Sequence, residues 1–308
     1  MTHPTDEPAT AHLPVLPREV LEVLDPQPGQ VIVDATVGAG GHARLLLERV
    51  GPTGRLIAID QDPDMLRRAA GRLTGLPVTL VHRNFDEIRT VLDELSIPAV
   101  DAILADIGFS SDQLADPGRG LSFQVEGPLD MRLDPTQGQP AHVLVNRLPE
   151  KELADVFWTY GEERYSRRVA RRIVEARQAA PIMTTTQLAE LVRRCVPRFH
   201  GRHSIDPATR VFQALRIATN DELGALERFL DTVPDCLRPG GRVAIISFHS
   251  LEDRRVKQAF RKSPELFKEL TRKPLQAGAE EIEANPRARS AKLRAAQRQE
   301  RGAEGTPQ

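Results

Sequence analysis

The chain has 308 residues, 40% hydrophobic and 28% charged, with a formal net charge of −1. That is enough apolar material for one large domain, or one domain carrying a smaller one. No apolar run approaches bilayer-spanning length, and Cys195 and Cys236 lack the paired spacing of a zinc site or redox couple, which excludes a disordered chain, a membrane span and a disulfide scaffold and points to a reducing cytoplasm.

Residues 1–12 are polar and read as a frayed leader rather than a signal peptide or anchor. The small net charge conceals an asymmetry. Residues 1–160 carry 13 Lys/Arg against 24 Asp/Glu, residues 161–216 carry 12 Arg against 5 acids, and residues 254–301 carry 14 Lys/Arg against 6 acids. Two basic segments on an acidic body read as a footprint for a polyanion, with solvated helix faces as the alternative.

The first ordered elements form a β-loop-α unit. The apolar run Val31-Ile32-Val33 ends in Asp34 and opens into Gly38-Ala39-Gly40-Gly41-His42. A second run, residues 56–59, ends in Asp60, about twenty residues past the glycines, the spacing at which a carboxylate meets ribose hydroxyls. The loop lacks the third glycine of G-x-G-x-x-G. It has instead an acid, Asp34, suited to the charged amino group of S-adenosylmethionine; a nicotinamide dinucleotide and a purely structural turn remain as alternatives.

Strands follow at residues 78–81 and 102–105, the latter ending at Asp106, with helices over 44–50, 63–73 and 85–95. This βαβ rhythm stops after the fourth strand and resumes at residues 242–247, announced by Pro239-Gly240-Gly241. The pattern predicts an α/β core over 13–111 and 206–301, an inserted helical substrate-recognition domain over 112–205 between strands 4 and 5, and a tail over 302–308. Within the insert, a Gly- and Pro-punctuated lead over 112–140 precedes a helix over 150–160. That helix places Leu153, Val156, Phe157 and Tyr160 on one face, with Trp158 assigned to the core. A helix over 165–177 turns Val169, Ile173 and Val174 inward and leaves Arg167, Arg168, Arg171 and Arg172 outward, a face able to grip phosphates. Thr184 and Gln187 form a capping-box pattern before Leu188, Leu191, Val192 and Cys195. Helices over 208–218 and 221–237 follow, with Asn220 as an N-cap, and residues 267–270 and 290–295 are assigned as an antiparallel strand pair.

Ligands of open α/β sheets bind beyond the carboxyl ends of the strands, which collects Asp34, Asp60, Asp106 and Ser247 at one edge. Residues 106–111 occupy the place where amino-group methyltransferases keep an acid or amide, two prolines and an aromatic; the prolines are absent here. Asp106 and the Gly108 carbonyl are placed to accept N–H bonds from a nucleobase amine, and the alternative is that Asp106 only binds cofactor. In residues 247–254, Phe248 is either a stacking face for a flipped base or strand core, and His249 either joins the chemistry or caps the next helix. The absence of G-x-S-x-G disfavours a Ser-His-acid hydrolase. His200 and His203 have no recognisable zinc partners, so no metal is expected.

Several stretches together resemble one family: residues 12–16, 34–42, 106–114, 119–123, 127–132, 208–217, 247–254, 285–287 and 290–294. They are similar to the bacterial small-subunit rRNA cytosine-N4 methyltransferases, known as RsmH or MraW. The resemblance implies a class I S-adenosylmethionine-dependent methyltransferase core, Rossmann-like, transferring a methyl to N4 of a cytidine in the decoding region of 16S rRNA. It implies cofactor contacts at Gly40, Gly41, His42, Asp60, Phe85, Asp106 and Gln113. Asp106, Ser247 and His249 are the expected catalytic set, and Arg167, Arg168, Arg171, Arg172 and Phe248 the expected RNA contacts. The expected partner is small-subunit rRNA, in the cytoplasm, with the oligomeric state open between monomer and homodimer. The chain departs from the family at Ala39, where Arg is common, at Phe109, where Val is usual, and at Pro17, where an aliphatic residue is common.

Overall fold

The structure, a computed structural model, describes residues 13–197 and 205–300. The expected leader, the tail, and His200 and His203 lie outside the described residues. Among those described, no helix is long and apolar enough to cross a membrane.

The core is a seven-stranded sheet in the order β3-β2-β1-β4-β5-β7-β6. The strands are β1 Val31–Asp34, β2 Arg55–Asp60, β3 Val78–His82, β4 Val100–Asp106, β5 Leu237–Ser247, β6 Phe267–Glu269 and β7 Lys292–Arg298. Strands β1 to β5 are parallel, and β7 runs antiparallel between β5 and β6. Strand order reverses between β1 and β4, which opens a crevice at their carboxyl ends. The expected antiparallel pair at the C-terminal end is present, and it closes the sheet.

Side chains of a strand alternate between faces, so a sheet covered on both sides is apolar in both phases. Val33, Ile57, Ile103 and Val243 enter a cluster with residues of α4 (Ile88–Glu94), α11 (Glu222–Cys236) and α12 (Ser250–Lys262). Their neighbours Ile32, Leu56, Leu104 and Ala244 enter the opposite one, with residues of α1 (Pro17–Leu24), α2 (Gly41–Val50) and α3 (Pro63–Arg72).

Between β4 and β5 run α5 (Ser111–Ala115), α6 (Ala141–Arg147), α7 (Glu150–Gly161), α8 (Ser166–Ala179), α9 (Thr185–Cys195) and α10 (Ala208–Asn220), ahead of α11. Helices α6 to α10 share an apolar cluster of their own, running from Leu121 to Leu215. Thr184 and Gln187 form the expected capping box on α9. The last helix is α13 (Ala279–Ala284), between β6 and β7.

Three local expectations are corrected. Trp158 is 60% exposed rather than core, because α7 buries Leu153, Ala154, Phe157 and Gly161, and one further step of 100° carries Trp158 off that stripe. Asn220 ends α10 instead of capping α11; the cap is Asp221 at φ 48°. The Asn220 amide ties a distant loop, accepting from Leu133 N at 2.7 Å and donating to Met131 O at 2.8 Å. Strand β5 begins at Leu237, so the Pro239-Gly240-Gly241 turn is an irregularity inside the strand, where the pairing with β4 shifts between Val100 and Ala102.

Candidate active site

The turn after β1 is shaped by glycines where the backbone demands them. Gly38 and Gly40 have φ of 51° and 84°, and a Cβ on Gly40 would press on Leu73 at 3.3 Å. Asp60, at the tip of β2, accepts from Gly38 N at 2.7 Å and from Asp62 N at 2.9 Å. It therefore fixes the glycine loop and still presents a carboxylate to the crevice.

The crevice encloses about 980 Å³, open to solvent, and its wall includes Pro14, Gly41, His42, Asp60, Met65, Phe85, Asp106 and Gln113. Of the expected cofactor residues, only Gly40 does not line the wall; its φ of 84° shapes the turn. Gln113 lines the crevice and also locks the loop after β4, donating to Asp62 Oδ2 at 2.6 Å and accepting from Ser110 N at 2.6 Å. Asp62 is fully buried, caps α3 through Asp64 N at 2.9 Å, and pairs with Arg119 at 2.9 Å.

Three carboxyls at this edge are displaced upward. Burial raises Asp34 to about 8, with the charges of Asp106 and Asp60 adding. Burial raises Asp106 to about 7, Arg287 opposing and Glu252 adding. Burial raises Asp60 to about 6, tempered by the N–H groups of Asp62 and Gly38. Asp34 Oδ2 and Asp106 Oδ1 are buried without a hydrogen-bond partner. A cation beside such carboxyls favours their charged form, whereas a pyrophosphate is repelled by each one that is ionised. The residues therefore fit a cofactor that brings positive charge and ribose hydroxyls, as S-adenosylmethionine does. Asp60 and Asp106 line the crevice, whereas Asp34 is 1% exposed and does not.

A second cavity, of about 1110 Å³, opens on the other side of the β4 loop. Gly108, Phe109 and Arg287 line both cavities. The wall of the second adds Phe123, Phe212, Arg216, Phe248, His249 and Glu252. Phe248 is half-buried and packs on Gly108, where a Cβ would lie 3.6 Å from its ring. His249 occupies the N-cap of α12, as the capping alternative expects, and it also lines the second cavity. Glu252 is buried; its Oε2 accepts from Phe248 N at 2.8 Å and His249 N at 3.2 Å, and its Oε1 lies 3.1 Å from His249 Nε2. Burial pushes Glu252 up, but His249, Arg216 and the Phe248 N–H prevail and hold it below the usual carboxylate range.

Ser247 reaches neither cavity: it is 1% exposed and donates to Lys292 O at 3.4 Å on the adjacent strand β7. Arg167, Arg168, Arg171 and Arg172 are exposed on α8 and also line neither cavity. Arg171 lies 3.7 Å from Glu150, and Arg172 lies 2.7 Å from Glu175.

Sequence patterns did not single out Arg216, Glu222, Glu252 or Arg287. Arg216 holds Glu222 through two bonds of 2.8 and 2.9 Å while its guanidinium sits 4.7 Å from the Phe109 ring centre. Arg216 and Arg287 both fall in stretches carrying the family resemblance, which is the signal that can find them. Among the described residues, Glu222, His249 and Glu252 are the one group with metal-ligand spacing, their ligand atoms within 4.8 Å of one another. The Arg216 guanidinium already neutralises Glu222 there.

The profile described as the MraW methylase family matches residues 9–299. A Sorangium cellulosum protein named ribosomal RNA small subunit methyltransferase H is 54% identical over 291 residues, spanning 93% of this chain and 90% of that protein. One of the same name from Syntrophotalea carbinolica is 52% identical over 306 residues, spanning 93% and 98%. With a cation-seeking crevice and an aromatic cavity meeting at one strand end, and this likeness along nearly its whole length, the chain belongs to the MraW methylase family.

Proposed function

We propose that the protein is an S-adenosylmethionine-dependent methyltransferase that methylates N4 of a cytidine in the decoding region of 16S rRNA, acting in the cytoplasm on the small ribosomal subunit. The observation that carries this reading is the convergence of two cavities on the Asp106–Phe109 loop, one lined by carboxyls and the other by aromatic rings. Family membership and the names of the relatives support the RNA substrate.

When bound, S-adenosylmethionine supplies a methyl made electrophilic by the sulfonium. Of the residues lining the crevice, Asp60 would accept from the ribose hydroxyls, Phe85 and Met65 would offer apolar surface to the adenine, and Asp106 would compensate the positive charge. The exocyclic nitrogen of cytosine has its lone pair delocalised into the ring, so it reacts only when held in line. Asp106 and the Gly108 carbonyl hold its two N–H bonds. Phe109 and Phe248 give faces on which a base taken out of its stack can rest. Loss of the proton needs no dedicated base, because the methylated amine is strongly acidic before it relaxes. The exposed arginines of α8 reach phosphates outside the pocket.

Incubation with labelled S-adenosylmethionine and undermethylated small subunits tests the proposal. Label at N4 of a single cytidine supports it; label only at carbon five, or on protein, refutes it.

A further inference from the structure

The connection between β6 and β7 carries α13 and then a helical turn, Pro286–Ser290, seated on the core by buried Ala288. The turn sends Arg287 across to the loop after β4. Its guanidinium donates to the Phe109 carbonyl and, at 3.3 Å, to Ser111 Oγ, and lies 5.9 Å from the Phe109 ring centre and 5.6 Å from that of Phe248. Of the three residues lining both cavities, the other two are the loop residues Gly108 and Phe109. Building on the functional reading above, we propose that Arg287 is a positioning residue for methyl transfer, its guanidinium setting the Asp106–Phe109 wall that separates cofactor from target base.

The loop backbone has few other ties at this point, although the Arg216 guanidinium also sits 4.7 Å from the Phe109 ring centre. Sheet-edge bonding runs out at Ile107 N, which donates to Ile246 O at 3.0 Å, and the Ser110 capping box begins three residues later. Between them Gly108 has φ 116°, a conformation that side chains rarely adopt. Gln113 and Asp62 hold the loop from the α3 side, and Arg287 holds it from the β7 side. Misplacing reacting groups by about 1 Å costs on the order of 100-fold in rate, so the second tie bears on turnover more than on affinity.

Arg287 also supplies charge. The groups facing Asp106 are His42 from α2 at 3.9 Å, Asp34 from β1, Glu252 from α12 and Arg287 from the turn. Arg287 opposes the upward push of burial on Asp106, so neutralising it moves the ionisation of Asp106 to higher pH.

The test uses the full-length protein, Arg287→Gln and Arg287→Lys, with turnover on small subunits and S-adenosylhomocysteine affinity measured against pH. Expected for Arg287→Gln is a fall in kcat of about 10- to 100-fold, the loss of one charge-assisted hydrogen bond. KM for the subunit changes less than about threefold, and the pH midpoint of cofactor-product binding moves up from its wild-type position. Arg287→Lys keeps the charge and the wild-type midpoint but recovers only part of kcat, since an ammonium cannot hold both acceptors and face two rings. Wild-type kcat and an unmoved midpoint in Arg287→Gln overturn the assignment. A defect confined to KM overturns it too, by showing that Arg287 grips RNA instead. Where Arg287→Gln does not fold, an unchanged kcat in Arg287→Lys is the refuting result. If the wild-type protein itself transfers no methyl to subunits, the functional reading fails, and the midpoint alone decides the role of Arg287.

Discussion

With Asp106 beside a cationic cofactor, the expected outcome is that binding is coupled to a proton, and Asp106→Asn exposes the coupling. Burial raises the ionisation of Asp106 to about 7, against the pull of Arg287. A cationic ligand beside it favours the carboxylate, so binding takes place against whatever fraction is protonated and releases that proton. The sign is fixed: affinity falls as pH drops below 7 and levels off above it. With a midpoint at about 7 the ionised fraction is roughly one-eleventh at pH 6 and ten-elevenths at pH 8, so Asp106 alone makes binding about tenfold weaker at pH 6. Titration calorimetry in two buffers of different ionisation heat measures the released proton directly: about 0.9 at pH 6, 0.5 at pH 7 and 0.1 at pH 8. The ligand's own amino group, ordinarily near 7.7 to 8.0, contributes at the alkaline end and is common to both proteins. The difference between wild type and Asp106→Asn therefore reports the Asp106 carboxyl, together with the downward move of Asp34 that loss of its charge brings. Proton release that persists unchanged in the variant, or none in the wild type at pH 6, refutes the placement of a cation at Asp106.

Other outcomes follow from the same geometry. Asp62→Ala leaves Arg119 buried without its partner and removes the α3 cap, which costs about 3–5 kcal/mol, seen as a large drop in the denaturant midpoint and a loss of cofactor binding. Gly120→Ala places a Cβ 2.1 Å from Pro128 O at φ 65°, and the thermal midpoint falls by several degrees for a cost of about 2–4 kcal/mol; an unchanged melt contradicts the packing described. Replacing Arg167, Arg168, Arg171 and Arg172 with Gln weakens subunit binding and flattens its salt dependence while cofactor affinity stays within about twofold; equal salt slopes refute a phosphate-contacting α8.

Much of this architecture is local in origin and was readable from local pattern. Continuous apolar runs and glycine punctuation mark β1, β2 and β4, and the acids that end them, Asp34, Asp60 and Asp106, arrive at one edge because parallel strands share a polarity. Ser247 belongs to the right strand end, but its hydroxyl is taken up by Lys292 O of the adjacent strand, a pairing that no local pattern marks. Residues made important by distant contacts carry no local mark. Arg287 meets Phe109 across 178 positions, and Asn220 meets Met131 across 89, so one read as part of a basic segment and the other as a helix cap. Gln113 shows the intermediate case. Its place in the crevice followed from the family resemblance, but its bond to the buried Asp62 belongs to the packing of α5 against the start of α3.

The most direct test of the central claim is mass spectrometry of 16S rRNA from cells lacking this gene, beside the same cells complemented with wild type and with Asp106→Asn. Loss of an N4-methyl from one decoding-region cytidine, restored by the wild-type gene and not by the variant, is the predicted result. A full complement of that methyl in the deletion strain contradicts the account.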